Sequence, residues 1–195
     1  MNLLAIPVAL LLGVLTWSFL EYCIHRWLGH DSRLRPNIFE HEHTRHHAQG
    51  DYFAPTGRKL LAAAGAMVVL GVPGSLVAGP AIGVSYVAGL VGFYLFYELV
   101  HRRAHTHAPT HFYSRWVRRN HFTHHFTDPR YNHGVTSPLW DWVFATSRPV
   151  PVVVVPNKLA MTWLLDTTTG DVKPEYADMF RLRVPAARQS EMMST

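Results

Sequence analysis

Between Lys59 and Glu98 the chain runs for 38 residues without one Asp, Glu, Lys or Arg. No other feature restricts the fold as much. As one helix this stretch would measure about 57 Å, nearly two crossings of a hydrocarbon layer about 30 Å thick. Pro73, Gly74, Gly79, Pro80 and Gly83 interrupt its middle. The pattern predicts a helical hairpin, with helices over 60–78 and 81–100, and a kink at Pro73 is compatible with it. A second uncharged run, Asn2–Leu20, contains 18 residues from Leu3 onward, about 27 Å of helix. It reads as a first transmembrane helix over 3–20. A cleaved signal peptide fits less well, because the run lacks a basic start and an A-x-A-like cleavage site. Only 16% of residues are charged, against about 25% in soluble domains.

Histidine clusters flank the hairpin on both sides. They read His25-x4-His30 and His43-x2-His46-His47 before it, then His101-x3-His105 and His121-x2-His124-His125 after it. If these ten imidazoles meet, an even number of crossings must separate the first two clusters from the last two, as a returning hairpin provides. Arg26, Arg33, Arg35, Arg45, Arg58 and Lys59 share their side with Arg102, Arg103, Arg115, Arg118 and Arg119. The hairpin turn carries no basic residue. The positive-inside rule therefore places the histidines in the cytoplasm. Topology and anionic headgroups account for the net charge of +5. No nucleic-acid recognition motif accompanies the basic residues, so no nucleic-acid partner is expected.

Helical residues at i, i+3 and i+4 share a face, so each of the last three clusters can direct its imidazoles at one point. His25 and His30 differ, because five residues turn an ideal helix about 140° off that face. One of the two should lie where the helix ends, near Gly29. Imidazole is a common ligand of borderline transition metals, and ten exceed what one ion takes, so two metals sharing a site are expected. Iron, zinc and copper all suit such a nitrogen-rich set. Cys23 is the single cysteine, which leaves no cysteine-based metal motif. His41-Glu42 begins like a zincin motif, but Arg45 stands where its second histidine belongs.

The order HX4H, HX2HH, HX3H, HX2HH resembles the fatty acid hydroxylase/sterol desaturase superfamily of integral-membrane oxygenases. So do the opening Glu21-Tyr22-x-x-His25-Arg26 and the run Asn132-His133-Gly134-Val135-Thr136-Ser137-Pro138-Leu139-Trp140-Asp141 with Phe144-Ala145-Thr146. The resemblance covers roughly residues 15–147. It implies that the ten clustered histidines bind two metal ions, taken to be iron, with zinc conceivable in purified protein. It implies that the dimetal centre itself is catalytic and uses O2 to hydroxylate an unactivated C–H bond of a fatty acyl or sterol-like membrane lipid. Carotenoid hydroxylases share a similar four-cluster logic, and lipid desaturation is an alternative outcome of the same chemistry. Larger members carry more membrane segments before the first motif, and some carry a fused cytochrome b5 domain. Neither stands in this sequence, so electrons are expected from a separate donor protein of cytochrome b5 or ferredoxin type.

Glu21 precedes His25 by four residues and Glu98 precedes His101 by three, so each carboxylate can reach its histidine along a helix and orient it from behind. Asp141 is a candidate for the same role, and Asn132 for orienting water or a ligand. His41, His107, His111 and His133 lack partners at the family's spacing and are expected at the surface or in structural roles. The apolar runs 149–156 and 157–165 are too short to span and are expected on the membrane surface or closing a cavity. The expected architecture is all-α. It has about three transmembrane helices and a cytoplasmic helical cap, in one domain over 1–166 with a polar, poorly ordered tail over 167–195. A membrane metal-handling protein and a zinc hydrolase are the rivals; residues 60–97 hold no charge or histidine, against transport.

Overall fold

The computed structural model describes residues 4–183. Helix α1 (Ala5–Cys23) continues through a π-helical turn, Ile24–Gly29. Then come α2 (Ile38–Gln49), α3 (Thr56–Ala66), a second π-helical turn at Met67–Gly71 and α4 (Val72–Ala78). Gly79, at φ +90°, turns the chain into α5 (Pro80–Thr106). Helices α6 (Phe112–Phe126) and α7 (Leu139–Val143) and strands β1 (Val153–Val155) and β2 (Phe180–Leu182) follow.

Three helical stretches are long and apolar enough to cross a membrane: Ala5–Gly29, Thr56–Ala78 and Pro80–Thr106. Each begins or ends within a few residues of the expected bounds, apart from the two C-terminal extensions that carry histidines. Leu3, the expected start of the first span, lies outside the described residues. Large apolar side chains on α3 and α4, among them Leu61, Leu76 and Val77, face outward, an arrangement suited to lipid. Pro73 sits at the second position of α4, where its missing N–H is tolerated.

Glycines set the helix contacts. A Cβ on Gly13 would lie 2.0 Å from the Tyr86 carbonyl oxygen, and one on Gly89 would lie 2.0 Å from that of Leu10. Helices α1 and α5 therefore touch backbone to backbone, as small residues permit between apolar helices. Trp17 packs against Tyr94 farther along, with ring centroids 4.6 Å apart and planes inclined at 60°, so the two helices run parallel and end together. The hairpin folds the other way: Gly71 abuts Val87, and Gly83 abuts Ser75. The first and third stretches thus deliver their histidine-bearing ends to one side, as the parity of crossings requires. Gly89→Leu has no room, since backbone must yield to it. We expect its melting temperature in detergent to fall by about 5–10 °C, as overpacking of about 1–3 kcal/mol gives in a chain this size.

The expected tail needs correction over 167–183. There β2 pairs in parallel with β1, Val153 opposite Phe180. Tyr176, Met179 and Phe180 join Val153, Val155, Met161, Trp163 and Leu164 around Phe122 of α6 in one core. The short apolar runs after residue 149 supply half of that core, rather than lying on a membrane or closing a cavity. Burial alternates along β1 as in a short strand, but Val154 between the two buried valines is itself apolar, so the sequence shows no alternation. Residues 184–195 of the expected tail lie outside the described residues.

Candidate metal centre

The ten clustered histidines converge, and they divide five and five. His25, His30, His43, His47 and His124 form one group; His46, His101, His105, His121 and His125 form the other. Within each group the candidate ligand nitrogens lie within 4.8 Å of one another. Ligands opposed across an ion at about 2.1 Å stand about 4.2 Å apart, so each group has the dimensions for one ion. The groups adjoin: the His47 and His125 rings stack with centroids 4.0 Å apart.

Helical spacing explains the division. His43 and His47 are an i, i+4 pair on α2 and serve the first group, while His46 between them faces the second. On α6, His121 and His125 pair in the second group and His124 turns to the first. Each HX2HH motif therefore contributes to both groups and does not aim at one point. The five-residue spacing of His25 and His30 is absorbed by the π-helical turn, whose wider winding returns His30 toward His25 where the helix ends. Gly29 allows the approach, because a Cβ there would lie 3.0 Å from the His43 ring.

Ring nitrogens meet at distances that only shared coordination or shared protons explain. Nε2 of His43 lies 2.8 Å from that of His30, which lies 2.9 Å from that of His124. In the second group the pairs His46–His101 and His105–His121 lie at 3.0 and 2.8 Å. Buried Nε2 of His25 and both ring nitrogens of His125 have no hydrogen-bond partner. Backbone carbonyls fix three tautomers. Nδ1–H of His25 donates to the carbonyl of His133 (2.5 Å), that of His46 to Tyr52 (2.6 Å) and that of His124 to Tyr131 (2.8 Å). Each Nε2 lone pair is thereby turned inward, as metal-binding imidazole requires.

Electrostatics keep the rings neutral. Burial first, then Arg35, holds His30 at about 4; burial first, then Lys59 against the Tyr52 carbonyl bond, holds His46 at about 4. Burial, with His30 and His46 beside it, holds His47 at about 3. His43, His121, His124 and His125 are pushed well down by burial, then by neighbouring histidines. Converging neutral imidazoles, with orphaned nitrogens in a buried site, fit two borderline transition metals.

The carboxylates act one step further out than their spacing suggested. Glu21 bonds no histidine; it accepts from the backbone N–H of Val135 (2.7 Å) and Thr136 (3.1 Å) and from the Thr136 hydroxyl (2.7 Å). Asp141 accepts from the N–H of His133 and Gly134 and from the Thr146 hydroxyl, at 2.7–2.9 Å. Together they fasten the loop whose carbonyls orient His25 and His124. Burial raises the Asp141 carboxyl above its ordinary value despite these bonds. Asn132, at φ +57°, clamps Arg148 through its side chain and approaches no ring nitrogen. Glu98 pairs with Lys59, not with His101. For Asp141→Ala we expect metal affinity to fall about 10–100-fold, the usual loss when such outer support goes, checked by competition with a chelator.

His41, His107 and His111 are exposed, as expected. His133 is not: it is buried against His25, His30 and His124, with ring centroids 5.3–5.8 Å away. Spacing could not single it out, although it stands inside the run after the last cluster. Tyr131 and Tyr52 contribute only carbonyls, and backbone carries no side-chain signal.

An apolar cavity of about 450 Å³ leads from the helices to both groups. Trp17 and Leu20 of α1, Ala62, Ala63 and Ala66 of α3, and Leu90, Val91 and Tyr94 of α5 line it, and His25, His43, His46 and His101 close its inner end. Beside α3 there is open space, since a Cβ on Gly57 or Gly65 would meet nothing within 4 Å.

With the site in view, comparison with known proteins identifies the chain: it belongs to the fatty acid hydroxylase family, whose model matches residues 10–146. It is 29% identical to a ceramide very long chain fatty acid hydroxylase, scs7, of Schizosaccharomyces pombe over 72% of the chain. It is 31% identical to a dihydroceramide fatty acyl 2-hydroxylase of Arabidopsis thaliana over 69%, and 30% identical to human fatty acid 2-hydroxylase over 73%. The chain spans 42%, 58% and 40% of those proteins' lengths. A solved structure of full-length scs7p, in which only the hydroxylase domain is visible, superposes with TM-score 0.59 at 25% identity, covering 76% of this chain and 58% of that one.

Proposed function

We propose that this protein is a multi-pass membrane oxygenase that uses O2 to hydroxylate a C–H bond in the acyl chain of a lipid. One observation carries the reading: the apolar cavity ends on histidines of both groups. The relatives' names, which place hydroxylation on ceramide or fatty acyl chains, support a lipid substrate. Two iron ions held by the two groups would supply the oxidising power that amino-acid side chains lack. In sum, R–H, O2, two electrons and two protons give R–OH and water. The electrons come from a donor protein of cytochrome b5 or ferredoxin type.

The chain's own part is positional. Trp17, Leu20 and Val91 hold an alkyl chain away from water, and the histidine wall sets which carbon is reached. The carboxylate-fastened loop keeps His25 and His124 in register. The basic residues on the histidine side support a cytoplasmic metal side by the positive-inside rule. The functional unit runs from α1 through β2, with a cap built by α2, α6 and the core around Phe122.

Turnover under 18O2 tests the reading. One labelled oxygen per product hydroxyl is expected. Product oxygen drawn from water, or turnover without O2, would overturn it in favour of a metal-activated hydrolase. An unsaturated product with labelled water would identify a desaturase of the same chemistry.

A further inference from the structure

The two faces of the short helix α7 do different things. Asp141 points inward, buried, and fastens the loop beside His25. Leu139, Trp142 and Val143 stand at i, i+3 and i+4 and face outward, with Trp142 65% exposed. Phe144 follows and is exposed as well. This outer face adjoins α1. Phe19 packs on Trp140 with ring centroids 4.8 Å apart, and Phe144 lies 6.4 Å from Phe19 and 6.5 Å from Trp27. The Trp140 indole N–H donates to Ser18 of α1 (3.1 Å), which ties the two helices together. The result is one exposed apolar patch, continuous with the outward side of the first apolar stretch. A patch so placed, with Trp27 and Trp142 at its edge, suits the boundary between acyl chains and headgroups.

Arg26 stands within this patch. Its guanidinium carbon lies 5.8–6.0 Å from the ring centroids of Tyr22, Trp27 and Phe144. One N–H donates to the Tyr22 hydroxyl (2.7 Å). Among the described residues no carboxylate pairs with Arg26, and nothing accepts from its other donors. Arg33, Arg58, Arg115 and Arg130, by contrast, each hold a carboxylate. Aromatic faces fix a guanidinium in place but give its N–H groups no lone pair, so the fork stays open to an anion. We propose that the corner between α1 and α7 seats an anionic phospholipid. Arg26 takes the headgroup phosphate, and Trp27, Trp142 and Phe144 flank the upper acyl carbons. None of these residues lines the cavity, so this lipid is distinct from the substrate. The proposal rests on the membrane part of the reading above and not on its chemistry. The seat is joined to the metal side by hydrogen bonds. The Tyr22 hydroxyl meets that of Thr146 (2.9 Å), which donates to Asp141 (2.7 Å).

Two measurements on the full chain test the seat. After extraction from nanodiscs of equal phosphatidylcholine and phosphatidylglycerol, native mass spectrometry counts the lipids each chain keeps. The wild type should keep phosphatidylglycerol over phosphatidylcholine by about fivefold, the worth of one basic residue near an anionic surface. Arg26→Gln should bring that ratio close to one, and Arg26→Lys should keep most of it. A wild type that keeps both lipids alike would overturn the proposal. So would a preference that survives Arg26→Gln and is lost in Arg119→Gln, which would assign it to the basic surface at large. Displacement of the lipid by excess inorganic phosphate would also overturn it, leaving a free-anion site. The second measurement does not depend on the Arg26 variants. In a Cys23→Ser background, spin labels on Leu11→Cys, Trp142→Cys and His41→Cys are compared for relaxation by O2 and by a water-soluble nickel chelate. The label at 142 should resemble the one at 11, open to O2 and shielded from nickel. If it is as open to nickel as the label at 41 while 11 stays shielded, the seat faces water and the proposal alone falls. If the label at 11 is open to nickel as well, the membrane reading falls with it.

Discussion

His124→Ala should lower bound metal from two ions per chain to at most one and reduce lipid hydroxylation more than about a hundredfold. His124 is fully buried and is the one α6 member of its group. Its Nδ1–H is committed to the Tyr131 carbonyl, so its Nε2 faces His30 and cannot rotate away. Loss of an outer support typically lowers affinity or activity 10–100-fold, and loss of a ligand itself should exceed that. Elemental analysis of the purified variant, beside an 18O2 assay, measures both effects. His41→Ala is the control, because His41 is exposed on the same face-rich α2 helix and belongs to neither group. If the His124 variant kept two ions and full activity, the five-and-five division would not describe the centre.

Acidification should undo the site from about pH 6.5 downward. His30 and His46 are held at about 4 and His47 at about 3, against an ordinary value of 6.5. The folded rings resist protonation while the same residues in an unfolded chain accept it. The unfolded state thus binds more protons between about pH 6.5 and 4, so stability rises with pH across that window and is lost as pH falls through it. A depression from 6.5 to about 4 corresponds to roughly 3 kcal/mol at most for each such histidine. Bound metal also requires neutral imidazole and stabilises the folded state by mass action, so chelated protein should unfold at a higher pH than loaded protein. Near-ultraviolet circular dichroism with parallel metal release follows the transition. Indifference of the chelated protein to pH 4.5 would contradict the burial that sets these values.

Much of this was legible along the chain. The uncharged run between Lys59 and Glu98 demanded a hairpin, and the flanking clusters demanded that it return; both α1 and α5 end at the histidines. The i, i+4 pairs His43–His47 and His101–His105 each fall in one group. Other features were not legible. The spacing of His25 and His30 is resolved by a π-helical turn, which sequence does not announce. Glu21 stands one helical turn from His25, yet its carboxylate serves Val135 and Thr136, more than a hundred residues away. His133 has no partner at a recognisable spacing and lies buried against three rings.

The sequence by itself determined the three long apolar helices and that the histidine-bearing ends of the first and third come together, because hydrocarbon excludes charge and helical periodicity is local. Tertiary structure alone decided which five imidazoles share a point, which carbonyls fix their tautomers, and that residues 167–183 close the core under α6. Those outcomes depend on segments distant in the chain and on backbone groups that every residue carries alike.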